Sequence, residues 1–251
     1  MSSPELRHAA TVVVARDSDR GPEVLMLRRH VRLDFVGDAY VFPGGAVDDD
    51  DADIDAIDIS ADDADARLAT SRGRAFYVAA VREIFEESGL LLATQAGKAL
   101  TAADLPALAN DREKLNAREV AFRDLIKERD LHLLANDLAF FAHWVTPVGP
   151  PRRYDTRFFM VEAPVEQIAS HDGEETVSSL WVTPAEALER HYRGELEMIF
   201  PTIRTLEELT IFDTVAHMRQ NFEARREIPR REPILVERDG EIIPILPDEN
   251  Q

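Results

Sequence analysis

The sequence predicts an α/β (α+β) fold built as one domain over residues 1–251. Short apolar, β-branched segments, such as ATVVVA at 10–15, predict strands near both ends of the chain. Between them, residues 73–87 repeat apolar side chains at helical spacing, and residues 101–136 are mostly helical by composition. The length suits one large domain with insertions, and no stretch has the composition of a linker.

The first three predicted strands follow one another closely. Residues 10–15 and 23–27 (EVLML) are expected to pair as a hairpin, with residues 21–22 (GP) as its turn. Residues 39–42 (AYVF) predict a third strand, which ends at 43–45 (PGG). Two glycines after a proline allow a positive φ or a close approach of the backbone to another group.

An acidic tract follows, in which ten of the eighteen residues from 48 to 65 are aspartate. Charge runs are usually solvated, so we expect a mobile acidic insertion over about 48–70. A calcium loop and a segment that binds cations or basic proteins are the alternatives. The tract lacks the glycine and the final glutamate of an EF-hand, which argues against the calcium loop.

Residues 73–87 are predicted to form an amphipathic helix. One stripe of this helix carries apolar and small residues at helical spacing, namely Tyr77, Ala80, Val81, Ile84, Phe85 and Ser88. Gly89 is placed to end the helix in the left-handed conformation.

The rest of the chain alternates helices and strands. Residues 101–136 are expected to form two or three helices with a break near 110–111, giving a helical insertion of about 100–137. The later elements are strands at 140–146, 156–162 and 177–182, a short helix from 183–184, a longer helix from Pro201 to about Phe222, and a hairpin of ILVE and EIIPIL. The last helix and hairpin, at about 201–247, could pack on a second subunit in a homodimer.

Composition excludes several classes of function. The chain has no cysteine, so disulfides, thiolate zinc sites, iron–sulfur clusters and a cysteine nucleophile are excluded. Its net charge of −19 argues against nucleic acid and anionic membrane as partners. The sequence has neither a signal-peptide core nor an apolar run long enough to span a bilayer, so we expect a cytoplasmic protein.

Three glutamates crowd one side of the 73–87 helix. Glu83, Glu86 and Glu87 fall within about a third of its circumference, where like charges destabilise a helix by roughly a few tenths of a kcal/mol per pair. A hard divalent cation among the oxygens would reverse that cost. A solvated acidic face is the alternative. Arg82 pairs with Glu86 at helical spacing and could orient a carboxylate.

This segment resembles the Nudix box, G-x5-E-x7-R-E-U-x-E-E-x-G-U with U aliphatic. The fixed positions of its second half are matched by Arg82, Glu83, Ile84, Glu86, Glu87, Gly89 and Leu90. The FPGG at 42–45 matches the usual lead-in, with Gly45 as the first glycine of the box. Gly45 and Arg82 are 37 positions apart where the pattern has 14, so 23 extra residues lie between them. Counting from Gly45 puts the first-half glutamate position on Asp51, unless the insertion begins earlier.

The inserted box resembles that of one subgroup of Nudix hydrolases, the acyl-CoA and CoA diphosphatases. The resemblance continues in the segment 25–45, which ends in FPGG, and in the segment 144–164, with its WVTP and RYDTRFF stretches. The helical insertion and the stretch 198–209 (MIFPTIRTLEEL) fit it as well, so the resemblance covers roughly residues 8–220. Gly37 stands one position from where the subgroup's upstream glycine is expected.

The resemblance implies a Nudix-type α/β/α sandwich with a mixed β-sheet, and Mg2+ or Mn2+ as the cofactor. The implied metal ligands are Glu83, Glu86, Glu87 and the carbonyl of Gly45 or Gly44. Arg82 is the implied orienting residue of the catalytic set. The general base is either one of these glutamates or a residue of the loop 171–176 (HDGEET), where Glu175 is our candidate and Glu174 the alternative.

Substrate binding is expected to need positive charge near the diphosphate. The candidate substrate contacts are Arg28, Arg29, Arg32, Phe42 and Arg153, with Arg152 and Arg157 beside the last of them. Arginine suits the 3′-phosphate of CoA, although pairing with local acids is the alternative. The implied reaction is hydrolysis of CoA or acyl-CoA to 3′,5′-ADP and (acyl)phosphopantetheine. Another nucleoside diphosphate substrate (ADP-ribose, NADH or a dinucleoside polyphosphate) and a non-catalytic nucleotide sensor are the alternatives.

Overall fold

A computed structural model of the chain describes residues 5–30, 38–164, 167–171, 173, 176–238 and 240–247. Its strands are β1 Leu6–Ser18, β2 Gly21–Arg29, β3 Tyr40–Val41, β4 Gly44–Ala46, β5 Ala93–Gln95, β6 Lys98–Ala99, β7 Leu131–Leu133, β8 Ala139–Val145, β9 Arg153–Glu162, β10 Thr176–Val182, β11 Arg230–Arg231, β12 Ile234–Arg238 and β13 Glu241–Ile245. Its helices are α1 Ala61–Leu68, α2 Gly73–Ser88, α3 Leu105–Asn116, α4 Phe122–Glu128, α5 Pro184–Tyr192, α6 Phe200–Leu209 and α7 Val215–Glu223, with a 3-10 helix at Asp49–Asp53.

The central element is a mixed sheet with the strand order β10-β2-β1-β9-β8-β11. Strands β1 and β9 run parallel over ten residue pairs, while β2 and β8 join the sheet in antiparallel fashion. The edge of β1 that does not pair with β9 is shared by two strands. The second half of β1 pairs with β2, and its first half pairs with the short glycine strand β4. The glycine pair predicted as a close-approach point therefore lies within the sheet, at the start of β1.

Helices cover both faces of the sheet because the long central strand is apolar on both sides. Val12 and Val14 of β1 belong to the core beneath α1–α4, in which Tyr77 packs against Phe159 with ring centroids 4.9 Å apart. Alternate residues of β1, such as Val13, belong to the core beneath α5–α7. The predicted mixed-sheet α/β/α sandwich is thus confirmed. Among the described residues, no helix combines the length and apolarity needed to cross a membrane.

Helix α2 is buried on nearly every side rather than on one stripe. Within it, Arg74 and Glu86 are the residues that keep partial exposure. The helix ends as predicted, since Gly89 has φ 72° and its N–H donates to the carbonyl of Phe85. The three glutamates therefore lie on a helix that has almost no solvated face.

The acidic tract is not the mobile loop that its composition predicts. It forms the 3-10 helix and α1, and the side chains of Ile54, Ile57 and Ile59 between them are buried in the core. Ser60 caps α1 by accepting a hydrogen bond from the backbone N–H of Asp63 at 3.1 Å. Apolar residues spaced through the aspartates anchor the tract, so its charge count alone was misleading.

Three predicted boundaries shift in the structure. Helix α3 runs without a break through residues 110–111, and the interruption of the helical insertion lies at 117–121 instead. The long helix expected after Pro201 is two helices, because Thr214 accepts from the backbone N–H of His217 and starts α7 anew. The turn between β1 and β2 falls at residues 19–20, ahead of the predicted position. The C-terminal hairpin is present as β12 and β13.

Substitutions at the two ends of the 69–73 turn test whether the acidic tract is structured. A Cβ on Gly73 would meet the backbone of Ala64 and Asp65, so Gly73→Ala should destabilise the fold by about 1–3 kcal/mol although alanine favours helices. Ala69 caps α1 with φ 50°, so Ala69→Gly should stabilise it by about 0.5–1 kcal/mol. Urea unfolding followed by circular dichroism measures both. Unchanged midpoints in both variants would mean that the tract is mobile after all.

Candidate functional site

The candidate site forms where α2 presses against the glycine strand β4. A Cβ on Gly45 would lie 2.5 Å from Oε1 of Glu83, so only glycine lets the helix and the strand approach this closely. The backbone N–H of Gly44 donates to Oε2 of Glu87 at 2.9 Å. The FPGG lead-in and the glutamates, which the sequence related only by resemblance, are thus in direct contact.

Arg82 is buried at the centre of this contact and binds groups from three segments. Its Nε and Nη2 donate to the two carboxylate oxygens of Asp51 at 3.0 and 2.9 Å, a bidentate pair. Nη2 also donates to the carbonyl of Ala46 at 2.8 Å. Nη1 donates to Glu83 at 2.8 Å and to both oxygens of Glu86 at 3.3 Å. The arginine joins the helix, the glycine strand and the acidic tract at one point.

Asp51, on which counting from Gly45 places the first-half glutamate position, is thus the aspartate that binds Arg82. Its side chain is 2% exposed, whereas the aspartates on either side of it are exposed. Sequence counting could not decide this, because the choice depends on which of four consecutive aspartates points inward.

Burial controls the charge state of the acidic groups. It raises the pKa of Glu83 from its ordinary value of 4.5 to about 8; Arg82 opposes this shift and Glu86 adds to it. Burial likewise raises the pKa values of Glu86 and Asp51, again against the influence of Arg82. Burial would lower the pKa of Arg82, but Glu83 and Asp51 outweigh it, so the guanidinium stays charged. One cation faces four carboxyl groups in a water-poor site.

The donor set suits a hard divalent cation in its chemistry. Carboxylate and carbonyl oxygens are the ligands that Mg2+ and Mn2+ take, and the predicted ligands Glu83, Glu86, Glu87 and Gly45 all border one cavity. Within the part of the chain that the structure describes, however, no three acidic or histidine side chains already converge as a metal cage. In this arrangement Arg82 bridges Glu83 and Glu86, and Glu87 accepts from Gly44. The ligand roles stay predictions.

The cavity has a volume of about 1150 Å3 and two chemically different ends. One end carries the box glutamates and the aspartates of the acidic tract. The other is apolar and is formed by the end of β8, the start of α6 and the C-terminal hairpin. Arg29, one of the predicted substrate contacts, lines the cavity, and its Nε is buried with no hydrogen-bond partner among the described residues.

Other predicted substrate contacts lie away from the cavity. Arg28 points to the opposite side of β2 and pairs with Asp38 at 2.6 Å. Phe42 is 2% exposed and packs in the core beneath α5–α7. Arg153 pairs with Glu232 at 2.5 Å, so its guanidinium is already bound within the protein. The structure gives these three side chains packing or pairing partners in place of a ligand.

Two of the predicted residues, Arg32 and Glu175, lie outside the described residues, as do Glu174 and Gly37. Arg157 is buried, contacts Asp155 and His143, and is not among the residues that line the cavity. Three other arginines line the cavity, namely Arg118, Arg123 and Arg152. The first two come from the helical insertion, where nothing in the sequence distinguished them from surface charges.

Comparison with known proteins agrees with this geometry. A family model described as the NUDT19 Nudix domain matches residues 60–209, which is more than half of the chain. A putative nudix hydrolase 7 of Caenorhabditis elegans is 30% identical over 81% of this chain and 60% of its own length. The acyl-coenzyme A diphosphatase NUDT19 of Xenopus laevis is 26% identical, over 91% of this chain and 70% of that protein. The chain thus spans about 60% of the length of the nematode relative.

Among solved structures, the fold is similar to that of a NUDIX hydrolase from Alicyclobacillus acidocaldarius. The TM-score is 0.69 at 29% sequence identity, and the match covers 86% of this chain and 96% of that one. The agreement extends through nearly the whole of the bacterial protein.

Removing the buried carboxylate should cost far more stability than removing its exposed neighbour. We expect Asp51→Ala to lower the free energy of unfolding by about 3–5 kcal/mol, because it leaves Arg82 buried without its bidentate partner. Asp50→Ala is the matched control, since Asp50 is exposed and lies 3.8 Å from Arg123; its effect should stay within about 0.5 kcal/mol. Urea denaturation measures both, and equal effects would contradict the buried pair.

The stability of the metal-free protein should depend on Glu83 between pH 4.5 and about 8. In that window the folded state binds a proton that the unfolded state has lost, so stability falls as the pH rises. The slope from this group is at most about 1.4 kcal/mol per pH unit. Thermal unfolding in EDTA at pH 5 to 8.5 should show a shallower slope for Glu83→Gln than for wild type. Glu119→Gln, an exposed change in the same cavity, should keep the wild-type slope.

Proposed function

Because the chain belongs to the Nudix hydrolase family, we propose that it is a diphosphatase that hydrolyses CoA or acyl-CoA to 3′,5′-ADP and (acyl)phosphopantetheine. The observation that carries the proposal is the buried contact of Glu83 and Glu87 with the glycine strand, with Glu86 bound to Arg82 beside them, at the edge of a large cavity. The substrate class is supported by the family model and by the Xenopus relative, whose name is acyl-coenzyme A diphosphatase.

Mg2+ or Mn2+ is the cofactor that we propose. Glu83, Glu86 and Glu87, with the carbonyl of Gly45, would hold the ion, which when bound activates water and neutralises charge on the diphosphate. Arg82 keeps the carboxylates in place through its hydrogen bonds to Asp51 and Glu83. Glu175 is the proposed general base, on the strength of the family resemblance.

Arginines that line the cavity would receive the phosphates of the substrate. Arg29 supports this role because its buried Nε lacks a hydrogen-bond partner in the described structure, and an anionic oxygen would supply one. Arg118 adds positive charge from the helical insertion, whereas Arg123, which lines the same cavity, is paired with Asp53 at 3.1 Å. Arg29 and Arg118 would let a protein of net charge −19 bind a small anion locally.

A substrate panel with Mg2+ tests the activity directly. We expect the highest kcat/KM for CoA and acyl-CoA, with 3′,5′-ADP as a product by mass spectrometry, over ADP-ribose, NADH and a dinucleoside polyphosphate. Glu87→Gln should lower kcat by about a hundredfold or more while the fold stays intact, since glutamine can still accept from the N–H of Gly44.

Glu119→Gln is the control, because Glu119 borders the same cavity but is exposed and has no assigned role. Faster turnover of ADP-ribose or a dinucleoside polyphosphate than of any CoA compound would replace the substrate assignment. Tight binding of nucleotide without turnover of any panel member would indicate a sensor.

A further inference from the structure

The apolar end of the cavity has no role in the proposed hydrolysis. Its aromatic part is formed by Trp144, Phe158 and Phe200, and the rings of Trp144 and Phe200 meet edge to face with centroids 6.0 Å apart. Ile199 of the segment before α6 extends this surface, and Leu235 of the hairpin closes it. We call these five residues the apolar wall.

Prolines remove backbone donors from the surroundings of the apolar wall, although the side chains of Arg152 and Tyr154 also line the cavity. Five of the chain's 14 prolines line the cavity, namely Pro147, Pro150, Pro201, Pro233 and Pro244. Proline has no backbone N–H, so a ligand without acceptors leaves no donor unsatisfied at these positions. An alkyl chain meets this condition, whereas the edge of a nucleobase has acceptors that need partners.

The C-terminal hairpin presents one face to this end of the cavity. Leu235 pairs across the hairpin with Pro244, and both line the cavity. Leu235 is also close to the 146–152 loop, because a Cβ on Gly149 would lie 3.0 Å from its Cδ1. Its side chain is nevertheless 40% exposed, which leaves apolar surface for a ligand to cover. Ile242 lies on the same face beyond the cavity and is 71% exposed.

We propose that the apolar wall binds the acyl chain of an acyl-CoA whose diphosphate lies at the box glutamates. The proposal rests on the proposed function and gives that site a preference for acylated over free CoA. One cavity contains both ends, and its volume of about 1150 Å3 is above the roughly 300–1000 Å3 of ordinary small-molecule pockets. The buried N–H of Trp144 lacks an acceptor among the described residues, and a thioester or amide carbonyl of the pantetheine arm would provide one.

Steady-state kinetics with CoA, acetyl-CoA and decanoyl-CoA test the proposal. For wild type, KM should fall as the chain lengthens, by up to about fourfold for each methylene that the wall buries. Leu235→Ser should raise the KM of decanoyl-CoA about tenfold and leave the KM of CoA within about twofold. Ile242→Ser is the matched control and should change neither value, since Ile242 is apolar, exposed and outside the cavity.

A binding measurement keeps the test independent of turnover. The chain has two tryptophans, so Trp181→Phe leaves Trp144 as the only indole reporter. Titration with decanoyl-pantetheine, which lacks the diphosphate, should change the emission of Trp144 with saturation. Pantetheine alone should give no change over the same concentration range.

Three results would overturn the inference. These are an unchanged Trp144 emission, an equal chain-length dependence in wild type and Leu235→Ser, and a change in oligomeric state of Leu235→Ser by light scattering, which would make the hairpin face a subunit contact. If no CoA compound is hydrolysed but decanoyl-pantetheine still binds, the proposed function fails and the apolar wall stands as an acyl site.

Discussion

The buried guanidinium of Arg82 is the interaction on which the rest of the site depends. It touches the glutamate helix, the glycine strand and the acidic tract together, through hydrogen bonds of 2.8 to 3.3 Å. Each of these segments carries polar groups that would be costly to bury alone. Their shared arginine therefore fixes the relative position of three segments that are distant in the sequence.

The same cluster carries an imbalance of charge. Arg82 is a single cation, while Asp51, Glu83, Glu86 and Glu87 supply four carboxyl groups, all of them on buried or partly buried positions. Burial raises the pKa of Glu83 and of Glu86, which favours their neutral, protonated forms and so reduces the imbalance. A divalent cation is the other way to balance the charge. The burial of these carboxyl groups therefore favours the proposed cofactor over the alternative, a solvated acidic face.

Local signals in the sequence predicted helix α2 and its C-terminal end. They did not predict to which face of the sheet each strand residue points. Helix α2 and its cap at Gly89 depend on spacing and on one backbone conformation, both of which are local. Arg28 and Arg29 look alike in sequence, yet consecutive residues of a strand point to opposite faces, and only Arg29 lines the cavity. No sequence pattern identified Arg118 and Arg123 as residues that line the cavity, because their position depends on how the helical insertion packs.

The acidic tract and the helical insertion contact each other directly. Ile57 of the acidic tract forms a bridge with Leu133, and Asp58 accepts from the backbone N–H groups of Ala135 and Asn136 at 2.7 and 2.9 Å. Arg123 donates to Asp53 at 3.1 Å, so α4 also holds the 3-10 helix that carries the buried aspartate.

Both insertions contribute to one core. Their isoleucines and leucines share the core beneath α1–α4. The helical insertion also donates to the carbonyl of Glu86, from Arg112 at 3.0 Å and from Asn116 at 3.2 Å, near the C-terminus of α2. A cation at the C-terminal end of a helix stabilises it. The acidic tract thus does more than fill a loop: its residues 48–51, together with residues 115–116 and 118–123 of the helical insertion, line the cavity that the box glutamates border.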